Sequence, residues 1–167
     1  AEQIGLSVAD CEAIELAAPM HDIGKIGIPD KILLKPGRYT TEETLVMQTH
    51  TTIGFDILKD SSSRFIELGS IIALGHHEKY DGSGYPRGLS GNNIPMEARI
   101  VAVADVYDAL TSTRPYKQAW PSSAAVEYIL TESGKHFDPS CVQAFLSRID
   151  AIEMTHEQFK DYDVSTA

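Results

Sequence analysis

Cysteine is scarce in this chain. Its 167 residues hold two, Cys11 and Cys141, outside any CxxC spacing. That excludes a Cys-rich zinc site and reads as two reduced, partly buried thiols of a cytosolic protein, with a disulfide as the alternative. Basic residues are also few: 14 Lys and Arg face 24 Asp and Glu, a net charge of −10. A general nucleic-acid binder would carry a basic face, so that class is excluded. A small phosphate-bearing substrate is not, because bound divalent metals would reverse the sign locally. No apolar run approaches the roughly 18–20 residues needed to span a bilayer. The first residues, AEQIGLSVADC, lack the basic and apolar blocks of a secretion signal. Regular period-2 strands and internal repeats are missing as well. What remains, 43% hydrophobic and 23% charged, is the balance of a soluble globular domain.

The chain reads as helix after helix, an all-α fold. Ser7 and Asp10 have capping-box spacing for a helix through about Met20, which Pro19 should kink or end. Residues 22–39, DIGKIGIPDKILLKPGRY, read as a connecting segment punctuated by glycine and proline. Thr40 or Thr41 caps a second long helix through about Leu58. A third runs from Arg64 to His77. DGSGYPRGLSGNNIP, from Asp81 to Pro95, is a glycine-rich loop. Further helices are expected over Met96–Thr111, Ser122–Ser133 and Pro139–Ile149, with Gly134 stopping one and Asp138-Pro139 starting the next. The residues after Ile152 read as a short amphipathic turn and a frayed tail.

Polar residues sit where helix periodicity asks for apolar ones. His50 shares a face with Val46, Ile53 and Ile57; Ile14 and Ala17 precede His21 by seven and four positions. Asp105 and Asp108 lie three apart on one side of an otherwise apolar helix. An unpaired carboxylate buried there would be very costly. Each residue alone has a plain structural reading: an inward histidine hydrogen-bonds in the core, a buried aspartate pairs with arginine or caps a backbone. Together, His21, Asp22, His50, His76, His77 and Asp105 come from four helices that a bundle brings to one spot. Adjacent histidines on a helix diverge by about 100°, so two metals sharing a carboxylate suit them better than one. Mixed imidazole and carboxylate donors fit Fe, Mn or Zn. Glu78 reads as a surface or outer-shell residue, and His136 and His156 as exposed.

HDIGK at 21–25, THTTIG at 49–54, HHEKYDGSGYPRGLSGNNIP at 76–95 and ADVYDALTSTRPYK at 104–117 together resemble the HD-GYP domain, a branch of the HD superfamily of metal-dependent phosphohydrolases. The resemblance runs from about residue 2 to 150. It implies a helical catalytic domain over 1–150, a tail over 151–167, and two or three divalent ions, Fe or Mn before Zn. It implies hydrolysis of cyclic di-GMP to pGpG or GMP. His21, Asp22, His50, His76, His77 and Asp105 match the family's metal ligands, with Asp22 as the bridge. Lys25 would sit beside the scissile phosphate, and Arg114 and Lys117 would hold phosphate groups. Asp108 would orient a ligand histidine or meet Lys or guanine, with a salt bridge to Arg114 as the plain alternative. Tyr85 belongs to the GYP loop, which in the family lies near substrate and is linked to diguanylate cyclase (GGDEF) domains. The family's further ligands on an upstream helix fall before residue 1. The resemblance therefore implies that this segment starts within the catalytic domain, downstream of a receiver or sensor domain. GNN at 91–93 replaces acidic residues expected in that loop.

Overall fold

A computed structural model describes residues 1–113 and 118–158. The architecture is all-α, as the sequence predicts. The helices are α1 (Val8–Ala17), α2 (Asp30–Leu33), α3 (Thr41–Gln48), α4 (His50–Leu58), α5 (Arg64–Gly75), α6 (Met96–Thr111), α7 (Ser122–Thr131), α8 (Pro139–Leu146) and α9 (Ile149–Gln158). Among the described residues, strand-like pairing is limited to two isolated bridges, Asp81 with Ser90 and Ser133 with Phe137.

Helix α5 is the central element and packs against α1, α4 and α6. Ile14 and Ala17 of α1, Ile72 of α5 and Val101 of α6 form one apolar cluster. The other joins Val103 and Tyr107 of α6 to Ala125 and Ile129 of α7 and to Cys141, Val142 and Phe145 of α8. Both cysteines are free. Burial pushes the Cys141 thiol up to about 11.

Local signals set most boundaries. Ser7 accepts the Asp10 N–H to start α1. Thr40 and Glu43 form a reciprocal capping box at α3. Asp138 caps α8 through the Ser140 N–H. Four expectations need correction. The segment after His21 is not a plain connector: it folds as a 3-10 turn, Ile23–Gly27, and then as α2. The helix predicted from Thr40 to Leu58 breaks at Thr49. There the hydroxyls of Thr49, Thr51 and Thr52 take the carbonyls of Val46, Gln48 and Thr49, which bends a helix. Helix α5 ends at Gly75, two residues before His77. Finally, the expected C-terminal turn is the ten-residue helix α9, whose Ile149 and Ile152 pack on the α6–α8 cluster.

The buried pair Arg99–Asp138 ties α6 to the N-terminus of α8. One Asp138 oxygen caps the helix; the other accepts from Arg99 Nη1, which also donates to Asn92 Oδ1. Burial opposes ionisation of Asp138, but the hydrogen bonds from Ser140 and Arg99 outweigh it and hold the carboxyl below its usual 3.8. A depressed carboxyl stabilises the fold above its unfolded pKa and loses that contribution as pH falls through the folded value. Asp138→Asn keeps the cap but strands Arg99, and is expected to cost about 3–5 kcal/mol at pH 7. Urea unfolding should show the gap from wild type narrowing below about pH 4. A gap independent of pH would contradict the ion-pair account.

Candidate metal centre

Four helical elements converge at one place. His21 and Asp22 sit where the turns after α1 end, His50 opens α4, His76 and His77 follow α5, and Asp105 lies midway along α6. The close approach of the HDIGK segment to α4 rests on two glycines. A Cβ on Gly24 would fall 1.9 Å from the His50 carbonyl oxygen and 2.5 Å from the Gly54 nitrogen. The break at Thr49 sets the register of α4, whose buried face is His50, Thr51, Gly54 and Leu58. Val46 and Ile57, expected to share the His50 face, are exposed.

Three imidazoles are oriented in the same way. Nδ1 of His21 donates to the Ala18 carbonyl at 2.8 Å, Nδ1 of His50 to Met47 at 2.7 Å, and Nδ1 of His76 to Ala73 at 3.0 Å. An N–H at Nδ1 leaves Nε2 of each neutral ring with its lone pair directed into the cluster. The Nε2 atoms of His50 and His76 face each other at 3.5 Å. Asp22 stands between the groups. Its Oδ1 lies 3.5 Å from His50 Nε2 and 4.0 Å from His76 Nε2. Its Oδ2 lies 3.3 Å from His21 Nε2 and 2.5 Å from Lys25 Nζ. His21 Nε2 is also 3.6 Å from Asp105 Oδ1.

Protonation states suit metal ligation. Burial lowers His50, and burial with the charges of His21 and His50 brings His76 down to about 4. Burial with His76 and His50 brings His77 down to about 2. These rings are neutral at pH 7. His21 is raised, chiefly by its hydrogen bond with Asp22. Burial disfavours the Asp22 carboxylate, yet the His21 and Lys25 hydrogen bonds hold it below the usual carboxylate range. Burial also keeps the Tyr85 hydroxyl protonated, well above its ordinary value.

The donor set fits divalent ions. Donor nitrogens of His50, His76 and His77 all lie within 4.8 Å of one another. Asp22 Oδ1 is buried and accepts no hydrogen bond. A ring of lone pairs around a carboxylate oxygen lacks a positive partner, and a cation supplies one.

The structure thus brings together His21, Asp22, Lys25, His50, His76, His77 and Asp105, and sets the Tyr85 ring against His77 at 4.8 Å. Asp108 stands apart from this group. It is exposed, accepts from Ser112 Oγ at 3.2 Å, and lines a separate groove of about 950 Å³ with Ile4, Tyr107 and Phe145. The helix turns the i+3 position far enough that only Asp105 reaches His21. Arg114 and Lys117 lie outside the described residues. Glu78 is not a surface residue: it is 2% exposed and accepts the N–H groups of Arg87 and Leu89. Its place next to His77, at the mouth of a glycine-rich loop, is the signal that could have marked it. His136 and His156 are half-buried rather than exposed, against Phe137 and Tyr107.

Comparison with known proteins agrees with this geometry. The HD domain family model matches residues 1–141. The cyclic di-GMP phosphodiesterase response regulator RpfG of Xanthomonas campestris pv. campestris is 56% identical over 159 residues, 95% of this chain and 42% of that one. A cyclic di-GMP phosphodiesterase of Thermotoga maritima is 52% identical over 165 residues, 99% of this chain and 45% of that one. The 3′3′-cGAMP-specific phosphodiesterase 2 of Vibrio cholerae is 43% identical over 146 residues, 87% of this chain and 28% of that one. A crystal structure of a cyclic GMP-AMP-specific phosphodiesterase of V. cholerae shares the fold, with a TM-score of 0.67 at 19% identity over 96% of this chain and 43% of that chain. The chain spans less than half the length of these relatives. The matched family model, the relatives and the converging histidines and aspartates agree: the chain belongs to the HD-domain family, in its HD-GYP branch.

Proposed function

We propose that this chain is the catalytic part of a metal-dependent phosphodiesterase that hydrolyses cyclic di-GMP to pGpG, GMP or both. The observation that carries this is the buried, donorless Asp22 oxygen facing the His50–His76–His77 cluster. The named activity of the relatives from Xanthomonas and Thermotoga supports the substrate.

Asp22 would bridge two ions, because its oxygens face different histidines. His50, His76 and His77 would complete one side, His21 and Asp105 the other. Iron or manganese suits these nitrogen and oxygen donors best, with zinc next. When bound, such ions supply hydroxide at neutral pH and offset charge on the nonbridging phosphate oxygens. The protein's own residues do the rest. Lys25, on the 3-10 turn beside Asp22, adds a point charge for the scissile phosphate. The Tyr85 loop walls the His77 side and excludes water there. By motif, Arg114 would grip a phosphate through two hydrogen bonds and Lys117 would add attraction. Asp108 keeps a substrate role on motif alone. Partnership with GGDEF domains through the Tyr85 loop, an attached receiver or sensor domain and a cytoplasmic site of action complete the proposal. The response-regulator relative supports the receiver domain. No described helix is long and apolar enough to cross a membrane.

The cyclic GMP-AMP-specific relative supports a second reading, hydrolysis of that hybrid dinucleotide. A third reading is a binding module without turnover. Rates of the Mn²⁺- or Fe²⁺-loaded chain on the two cyclic dinucleotides separate them. Cyclic di-GMP is expected to be cleaved faster, with loss of the rate on chelation. The reverse preference selects the hybrid substrate, and binding without cleavage selects the module.

A further inference from the structure

Three of the four clustered histidines are aimed by a backbone carbonyl at Nδ1. His77 is not. Among the described residues its ring makes no hydrogen bond; it packs against rings instead. The Tyr85 ring lies on it at 4.8 Å with the planes 27° apart, and His76 abuts it at 4.0 Å. The direction of the His77 nitrogens therefore depends on where Tyr85 stands.

Tyr85 stands on a loop held by the residue after His77. Glu78 is buried, and its two carboxylate oxygens accept from Arg87 N at 2.8 Å and Leu89 N at 2.9 Å. These donors flank the far side of the loop that Tyr85 opens. On the near side, Tyr85 N donates to the His77 carbonyl at 3.1 Å. Gly84 lets the loop lie against this stretch: a Cβ there would fall 2.3 Å from Lys79 N and 2.6 Å from the Glu78 carbonyl carbon. A third anchor comes from the α7–α8 turn, where Tyr80 N and Asp81 N donate to the carbonyls of His136 and Lys135.

We propose that Glu78 and Tyr85 are positioning residues for His77: the Glu78 carboxylate clamps the loop so that the Tyr85 ring fixes the plane of the one imidazole lacking a backbone acceptor. This rests on the reading of His77 as a metal ligand and deepens it. Only a carboxylate serves at position 78, since it offers acceptors on both oxygens, whereas an amide sets N–H against N–H. At position 85 the ring matters and the hydroxyl does not.

The test uses cobalt(II) titration of the full chain, followed by its visible spectrum, beside amide hydrogen exchange without metal. Glu78→Gln and Tyr85→Ala are expected to weaken one cobalt site by roughly 10–100-fold, the range for groups that orient a ligand, and to change its spectrum. Tyr85→Phe is expected to bind as the unmodified chain does. The Arg87 and Leu89 amides should be protected in the unmodified chain and exchange faster in Glu78→Gln, with α5 and α6 unchanged. Unaltered cobalt affinity and spectrum in Glu78→Gln, or a Tyr85→Phe that falls with Tyr85→Ala, overturns the proposal. If Glu78→Gln does not fold, rapid exchange of both amides in the unmodified chain overturns it instead. None of these readouts needs turnover. A chain that binds cobalt as expected but cleaves no cyclic dinucleotide refutes the phosphodiesterase reading and leaves the role of Glu78 standing.

Discussion

Asp22→Ala is expected to abolish metal binding at the cluster and to lower turnover by at least about 10²–10³-fold, the loss that follows removal of one strong stabiliser of developing charge. The loss should exceed that of any single histidine, because Asp22 alone faces both groups of imidazoles. Folding should survive. Asp22 lies in a turn between helical elements and belongs to neither apolar cluster. Its Oδ1 makes no hydrogen bond that the substitution would break. Metal analysis of the purified protein together with far-ultraviolet circular dichroism checks this. A variant that keeps its metal content and rate would remove Asp22 from the centre.

Gly24→Ala is expected to be as damaging by another route. The added methyl carbon would sit 1.9 Å from the His50 carbonyl oxygen, against backbone rather than a yielding side chain. Backbone must move to admit it. Overpacking of this kind costs typically 1–3 kcal/mol, and more where nothing can yield. The displacement would part the HDIGK segment from α4, and so His21 and Asp22 from His50. Thermal unfolding should show a drop on the order of 10 °C or more, and metal affinity should fall with it. Gly27→Ala, in the same 3-10 turn, is the control for losing a glycine: there the added carbon meets only the Ile53 side chain, at 3.0 Å, and no backbone. Equal effects of the two would mean that the close packing at Gly24 is not the cause.

Much of the candidate site was legible because the residues that converge there cluster in motifs whose order along the chain is distinctive. Helix α6 emerged with the predicted bounds, Met96–Thr111, with Pro95 before its first residue and an extended Ser112 after its last. Helices α3 and α4 did not emerge as one element. Periodicity sees continuous helical spacing from 41 to 58, whereas the break arises from threonine hydroxyls competing for carbonyls, a short-range effect with no periodic trace. The same break separates Val46 from the His50 face; Ile57 is on α4 itself, but the face of α4 that packs is His50, Thr51, Gly54 and Leu58, which leaves Ile57 exposed. Asp105 and Asp108 illustrate a related limit of spacing: they lie three residues apart on α6, yet Asp105 lies 3.6 Å from His21 while Asp108 is exposed beside Ser112.

Composition and motif order determined the all-α class and the family, because these depend on which residues are present and how they are spaced. Tertiary structure alone decided which of these side chains meet. The carbonyls of Ala18, Met47 and Ala73 aim their histidines locally, each from three residues upstream, but Asp22 reaches His50 and His76, and Glu78 reaches Arg87 and Leu89, only once α1, α4, α5 and the loop after α5 have packed. A contact three residues back follows from helical geometry; a contact across 28 or 54 positions, such as Asp22 with His50 or His76, exists only in the folded chain.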